Sequence, residues 1–146
     1  VDMLERSLND PTLSKLDRAR FLPALAELSL EQGDPATSQS AVDELEEIGQ
    51  LSRSDYFLAQ AAHYRGLLTL PDDPGKAIVH FKAAARTFSD LHLPYEAATA
   101  RRDLAKAYIA DGAGALATLE LKSAKAEFER LGSVSDAEAV DALIST

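Results

Sequence analysis

AIVHFKAAARTFSDL, residues Ala77–Leu91, returns 40 residues later as ATLELKSAKAEFERL, residues Ala117–Leu131. Ala77, Lys82, Ala84, Phe88 and Leu91 fall on Ala117, Lys122, Ala124, Phe128 and Leu131, and Ala97 continues the register onto Ala137. Among them Ala77, Ala84, Phe88 and Leu91 are spaced by seven, four and three residues, so they mark one face of a helix that occurs twice. Internal repeats of this length mean stacked helical units that bury their apolar faces only against one another. Such arrays serve more often as binding scaffolds than as catalysts.

Punctuation along the chain divides it into helices. Asp34-Pro35 and Asp73-Pro74, 39 residues apart, each supply a capping carboxylate and a proline suited to a first turn. Pro94 follows a break at His92-Leu93 and precedes Tyr95, and Ser135 with Glu138 reads as a capping box. Gly33, Gly49, Gly112 and Gly132 stand where helices are expected to stop. The expected helices are residues 12–32, 36–49, 54–70, 75–91, 95–111, 114–131 and 135–145, with residues 1–8 as the end of an earlier helix. Pro23 either bends the first of these or divides it, since a mid-helix proline costs about 3 kcal/mol.

The fold expected is therefore all-α, an α-α superhelix of about seven helices. Three antiparallel hairpins (units 12–50, 54–91 and 95–131) are followed by a capping helix at 135–145, all in one domain spanning 1–146. The first unit matches least well: a shift of 40 puts Ala41, Ile48 and Leu51 under Phe81, Phe88 and Leu91, but Glu44 under Ala84.

Composition narrows the function. The net charge of −9 opposes the phosphate backbone of nucleic acid. No apolar run reaches the ~18 residues of a membrane span, and VDMLERSLND lacks a signal-peptide pattern. With no cysteine there is neither a disulfide framework nor a thiolate metal site, which accords with a cytoplasmic protein. The start at Val1 reads as a piece of something longer. His63, His80 and His92 have no metal-ligand spacing, glycine is too sparse for a phosphate loop, and no GxSxG occurs. Neither a cofactor nor an enzyme activity is expected. The acidic run Asp43, Glu44, Glu46, Glu47 reads as a solvated outer face.

The alternation of small and large residues resembles the tetratricopeptide repeat. The second unit supplies Gly66, then Ala77, Phe81 and Ala84. The third supplies Leu104, Ala105 and Tyr108, then Ala117, Leu121 and Ala124. The 40-residue unit is longer than the usual ~34 and contains no Trp. AATARRDLAKAYIADGAGALATLELKSAKAEFERLGSVSDA, Ala97–Ala137, with its "LAKAY", glycine break and "FERLG", resembles repeats of MalT-like and LuxR-type bacterial transcriptional regulators.

That resemblance implies a TPR-like solenoid whose first helices line a concave face. Carried onto this chain, its partner-binding residues are Arg20, Glu27, Gln60, His63, Leu67, Thr99, Arg102 and Lys106. It implies a non-catalytic protein-interaction module within a larger regulator, whose partner is a peptide, another domain of the same chain or a second copy. Two other readings stand beside it: homo-oligomerisation through terminal helices near Leu4–Leu16 or Leu143-Ile144, and small-effector sensing around His63 and Arg102.

Overall fold

A computed structural model describes residues 2–10 and 14–145. Among them are eight helices and no strand: α1 (Asp2–Leu8), α2 (Lys15–Glu31), α3 (Pro35–Leu51), α4 (Asp55–Thr69), α5 (Pro74–Asp90), α6 (Pro94–Ala110), α7 (Gly114–Arg130) and α8 (Val134–Ile144). The expected count of seven is corrected by α1, which is a helix of its own packed against α2. The expected start of α2 at residue 12 lies outside the described residues. From α2 to α8 each helix packs on the next, and α2 also touches α4. Connections of three or four residues force each helix back along its predecessor. The arrangement is consistent with an α-solenoid.

The helices from α2 onward begin every 20 residues, save one interval of 19 between α4 and α5. That single missing residue corrects the alignment of the first unit. Counted from each helix start, the fourth, eighth, eleventh and fifteenth residues are Ser38, Val42, Leu45 and Gly49 in α3. In α5 they are Ala77, Phe81, Ala84 and Phe88, and in α7 Ala117, Leu121, Ala124 and Phe128. All twelve are buried. A shift of 39 therefore relates α3 to α5, and Glu44 never belonged under Ala84; it pairs with Arg18 of α2 at 2.6 Å.

Small residues set the approach of the first helices. The fifth and twelfth positions are Ala19 and Ala26 in α2, Ala59 and Gly66 in α4, and Ala98 and Ala105 in α6, all buried. Gly66 lies so close to α5 that a Cβ there would stand 2.5 Å from Phe81 Cε1. Pro23 does not divide α2, which runs through it as one helix with the proline itself buried.

The turns explain the pitch. Ser14, Asp34, Ser54 and Asp73 each accept a hydrogen bond from the backbone N–H three residues on. The N–H of Asp34, Ser54, Leu93, Ala113 and Ser133 also closes the preceding helix, at 2.8–2.9 Å to Ser29, Gly49, Phe88, Tyr108 and Phe128 carbonyls. One residue thus ends one helix and opens the next. Two expectations need correction. Ser133, not Ser135, stands at the N-cap of α8, where its hydroxyl donates to Asp136. Gly49 lies inside α3, because Leu58 packs where a larger side chain would go.

The left-handed residue closing each helix is Gly33, Gly112 or Gly132 at three turns, but Arg53 (φ 52) and His92 (φ 59) at two others. A side chain in that conformation costs roughly 1–2 kcal/mol that glycine avoids. Arg53→Gly and His92→Gly should each stabilise the fold by about 1 kcal/mol in urea denaturation, while Gly33→Ala should destabilise it.

Candidate functional site

The eight residues expected to face a partner occupy a common register. Arg20, Gln60 and Thr99 are the sixth residues of α2, α4 and α6; His63 and Arg102 are ninth residues; Glu27, Leu67 and Lys106 are thirteenth. Pro23 fills the ninth position of α2. Two turns of helix separate the sixth from the thirteenth position, so these residues share one face of each first helix.

Six of the eight line a single cleft of about 420 Å³ across α2, α4 and α6: Glu27, His63, Leu67, Thr99, Arg102 and Lys106, joined by Leu30, Glu31, Tyr64 and Asp103. Gln60 lines an adjoining cavity of about 210 Å³, which shares His63, Tyr64 and Thr99 with the cleft. Arg20 is exposed and lines neither.

Asp103, the tenth residue of α6, is the group that sequence reasoning missed. It is only 3% exposed, in a helix whose other buried residues are mostly alanine. Its spacing from Ala100 and Ala107 put a carboxylate on an apolar stripe, and that was the available signal. His63 Nε2 lies 2.6 Å from Asp103 Oδ2. On the other oxygen, Arg102 Nε stands at 3.3 Å and Lys106 Nζ at 3.5 Å. Burial pushes the Asp103 pKa up, but the His63 hydrogen bond, with the charges of His63, Arg102 and Lys106, brings it below the ordinary carboxylate range. The ionised carboxylate therefore accepts, and His63 Nε2–H donates.

The polar chain continues past α6. Arg102 also reaches Asp136 of α8 at 3.8 Å, and Tyr95 donates its hydroxyl to Asp136 at 3.0 Å. Asp136 is held low, foremost by the Ser133 hydroxyl. The His63 ring packs edge-on against Phe81 and stacks on Tyr64, with centroids 5.8 and 5.6 Å away. Burial, and next the charge of Glu27, raises the Tyr64 phenol, which stays protonated as a donor.

The cleft is consequently polarised. Glu27 and Glu31 stand on the α2 side, Leu67 and Tyr64 in the middle, and Arg102 and Lys106 on the α6 side. Arg102 is committed to two carboxylates, whereas Lys106 retains 42% of its side chain exposed. The Thr99 hydroxyl donates to the Tyr95 carbonyl at 3.0 Å. What the arrangement offers a ligand is orientation by charge at two ends and an apolar contact between them.

Among the described residues no group of three or more His, Asp or Glu side chains is placed to hold a metal ion. No described helix is long and apolar enough to cross a membrane. The chain matches no known family model and no curated protein.

Proposed function

We propose that this chain is a non-catalytic, tetratricopeptide-like interaction module of a larger bacterial signalling or transcriptional regulator in the cytoplasm. It binds an extended peptide, or a segment of a neighbouring domain, across α2, α4 and α6. The observation that carries this reading is the polarised cleft, in which one face of three first helices contributes side chains to a common surface. Neighbouring helix axes lie about 8–10 Å apart. A chain rising about 3.3 Å per residue would cross from Glu27 to Lys106 in roughly six residues.

The preferred segment carries a basic residue over Glu27 and Glu31, an apolar side chain on Leu67 and Tyr64, and a carboxylate at Lys106. Charge-assisted hydrogen bonds at the two ends contribute about 1.5–3 kcal/mol each. Selection from a random peptide library, followed by fluorescence anisotropy, tests it. The double variant Arg102→Glu, Lys106→Glu should weaken the selected peptides by more than about tenfold. Affinity unchanged in that variant would refute the groove reading and favour a terminal-helix contact between copies, which light scattering across a concentration series would show.

A further inference from the structure

We propose that the smaller cavity, between the N-terminal turns of α4 and α6, is a binding site for an organic ammonium group, quaternary or N-methylated. This site adjoins the charged cleft, with which it shares His63, Tyr64 and Thr99, but does not depend on the peptide reading. Four aromatic rings line its about 210 Å³: Tyr56 and Tyr64 from α4, Phe88 from α5 and Tyr95 from α6. Glu96 adds a carboxylate, and neither lysine nor arginine is among the described residues lining it. Aromatic faces carry the negative lobe of the ring quadrupole, so rings beside a carboxylate favour a weakly hydrated cation over an anion or a neutral polar group. His63 also lines the cavity, with Nε2 directed to Asp103. Arg102, in the adjoining cleft, is occupied by Asp103 and Asp136. The helix N-termini contribute positive potential, which Asp55 and Glu96 in the first turns offset.

Position within the repeat strengthens the assignment. Tyr56 and Tyr95 are the second residues of α4 and α6, where α2 has Leu16 and α8 has Ser135. Only at this junction do two successive units place a tyrosine in that register. Both rings are substantially exposed, at 38% and 44%. Both are also held in place. Tyr56 lies edge-on to Phe88 at 6.3 Å and accepts from Gln60 Nε2 at 3.2 Å. Tyr95 lies edge-on to Phe128 at 5.7 Å and donates to Asp136 at 3.0 Å. Rings held before the ligand arrives lose little freedom on binding. A cavity smaller than the about 300–1,000 Å³ of drug-sized sites suits a single head group.

The test is an amide-resolved NMR titration of the whole chain with choline chloride, against neohexyl alcohol, in which carbon replaces the charged nitrogen. A second arm compares a short peptide carrying trimethyl-lysine with its unmodified lysine form. Choline should give saturable shifts at Tyr56, Gln60, Tyr95 and Thr99, with the neutral analogue about tenfold weaker or more. Tyr56→Leu or Tyr95→Leu should weaken choline about tenfold, whereas Tyr56→Phe and Tyr95→Phe should preserve binding. If a leucine variant does not fold, Glu96→Gln supplies the same test, with an expected loss of about threefold or more. Tighter binding of the trimethyl-lysine peptide than of choline would identify a modified peptide as the source; equal or weaker binding would identify a free cation. Absence of saturable shifts with both probes, equal binding of neohexyl alcohol, or full affinity in folded leucine variants would overturn the proposal. Loss of peptide binding in the Arg102 and Lys106 variant would leave it standing.

Discussion

Phe81→Ala should lower the unfolding free energy by about 3–5 kcal/mol, which for a chain of this size is a melting shift of roughly 10 °C or more. Phe81 is fully buried in a cluster that joins α5 to α6 and α7, and its ring lies edge-on to His63. Its removal opens a cavity at the eighth position of α5, where the neighbouring units have Val42 and Leu121. The complementary change is Gly66→Ala. A Cβ at that position meets Cε1, Cδ1 and Cζ of the same ring at 2.5–2.9 Å, so it should cost about 1–3 kcal/mol by overpacking. Because one contact underlies both effects, they should not add. Gly66→Ala combined with Phe81→Leu should be more stable than the sum of the single costs predicts, by about 1 kcal/mol in a double-mutant cycle. Additive costs in urea denaturation would show that α4 and α5 do not meet through this pair.

The second large effect belongs to Asp103. Replacing it with alanine should cost about 3 kcal/mol at neutral pH, since it removes the buried carboxylate that His63, Arg102 and Lys106 converge upon. Asp103→Leu should cost less than Asp103→Ala, because leucine refills the space. The pH dependence identifies the cause. Asp103 is held below its ordinary value of 3.8, so folding favours its ionised form. Its stabilising contribution is complete above that value and disappears as pH falls through the lower folded one. The stability gap between the wild type and Asp103→Asn should therefore be open above the ordinary value of 3.8 and close as pH falls through the lower folded one. A gap that persisted into strong acid would mean that packing, not charge, accounts for the residue.

Much of the architecture was readable from periodicity. The match of Ala77–Leu91 to Ala117–Leu131 located two second helices correctly, since burial repeats where apolar residues repeat. The first unit looked more degraded than it is because one residue is absent between the starts of α4 and α5. A one-residue slip rotates a helix by about 100°, enough to exchange a buried face for an exposed one and to bring Glu44 into false alignment. The 39-residue spacing of Asp34-Pro35 and Asp73-Pro74 already contained the right register. The turn at Gly49 was misread for a different reason. Glycine also serves close helix packing, here against Leu58, and the left-handed turn residue proved to be Arg53.

The site was legible in part. Equal spacing brought Glu27, His63, Leu67, Thr99, Arg102 and Lys106 to one cleft, since residues in the same register of stacked helices share a surface. What spacing alone could not show was the partnership between neighbours. His63 meets the tenth residue of the next first helix rather than the ninth, so the bond to Asp103 is diagonal across the stack. Arg102, a free cation by register, is tied down by Asp103 and by Asp136 of α8. Tyr56 and Tyr95, each the second residue of its helix, keep exposed rings beside a cavity.

The most direct test of the interaction-module reading is an amide-resolved NMR map of the chain saturated with its best library-selected peptide. The account predicts perturbations concentrated on Glu27, Glu31, His63, Leu67, Thr99, Arg102 and Lys106. Perturbations confined to the outer faces of α3, α5 and α7, or a library that yields no saturable binder, would contradict it.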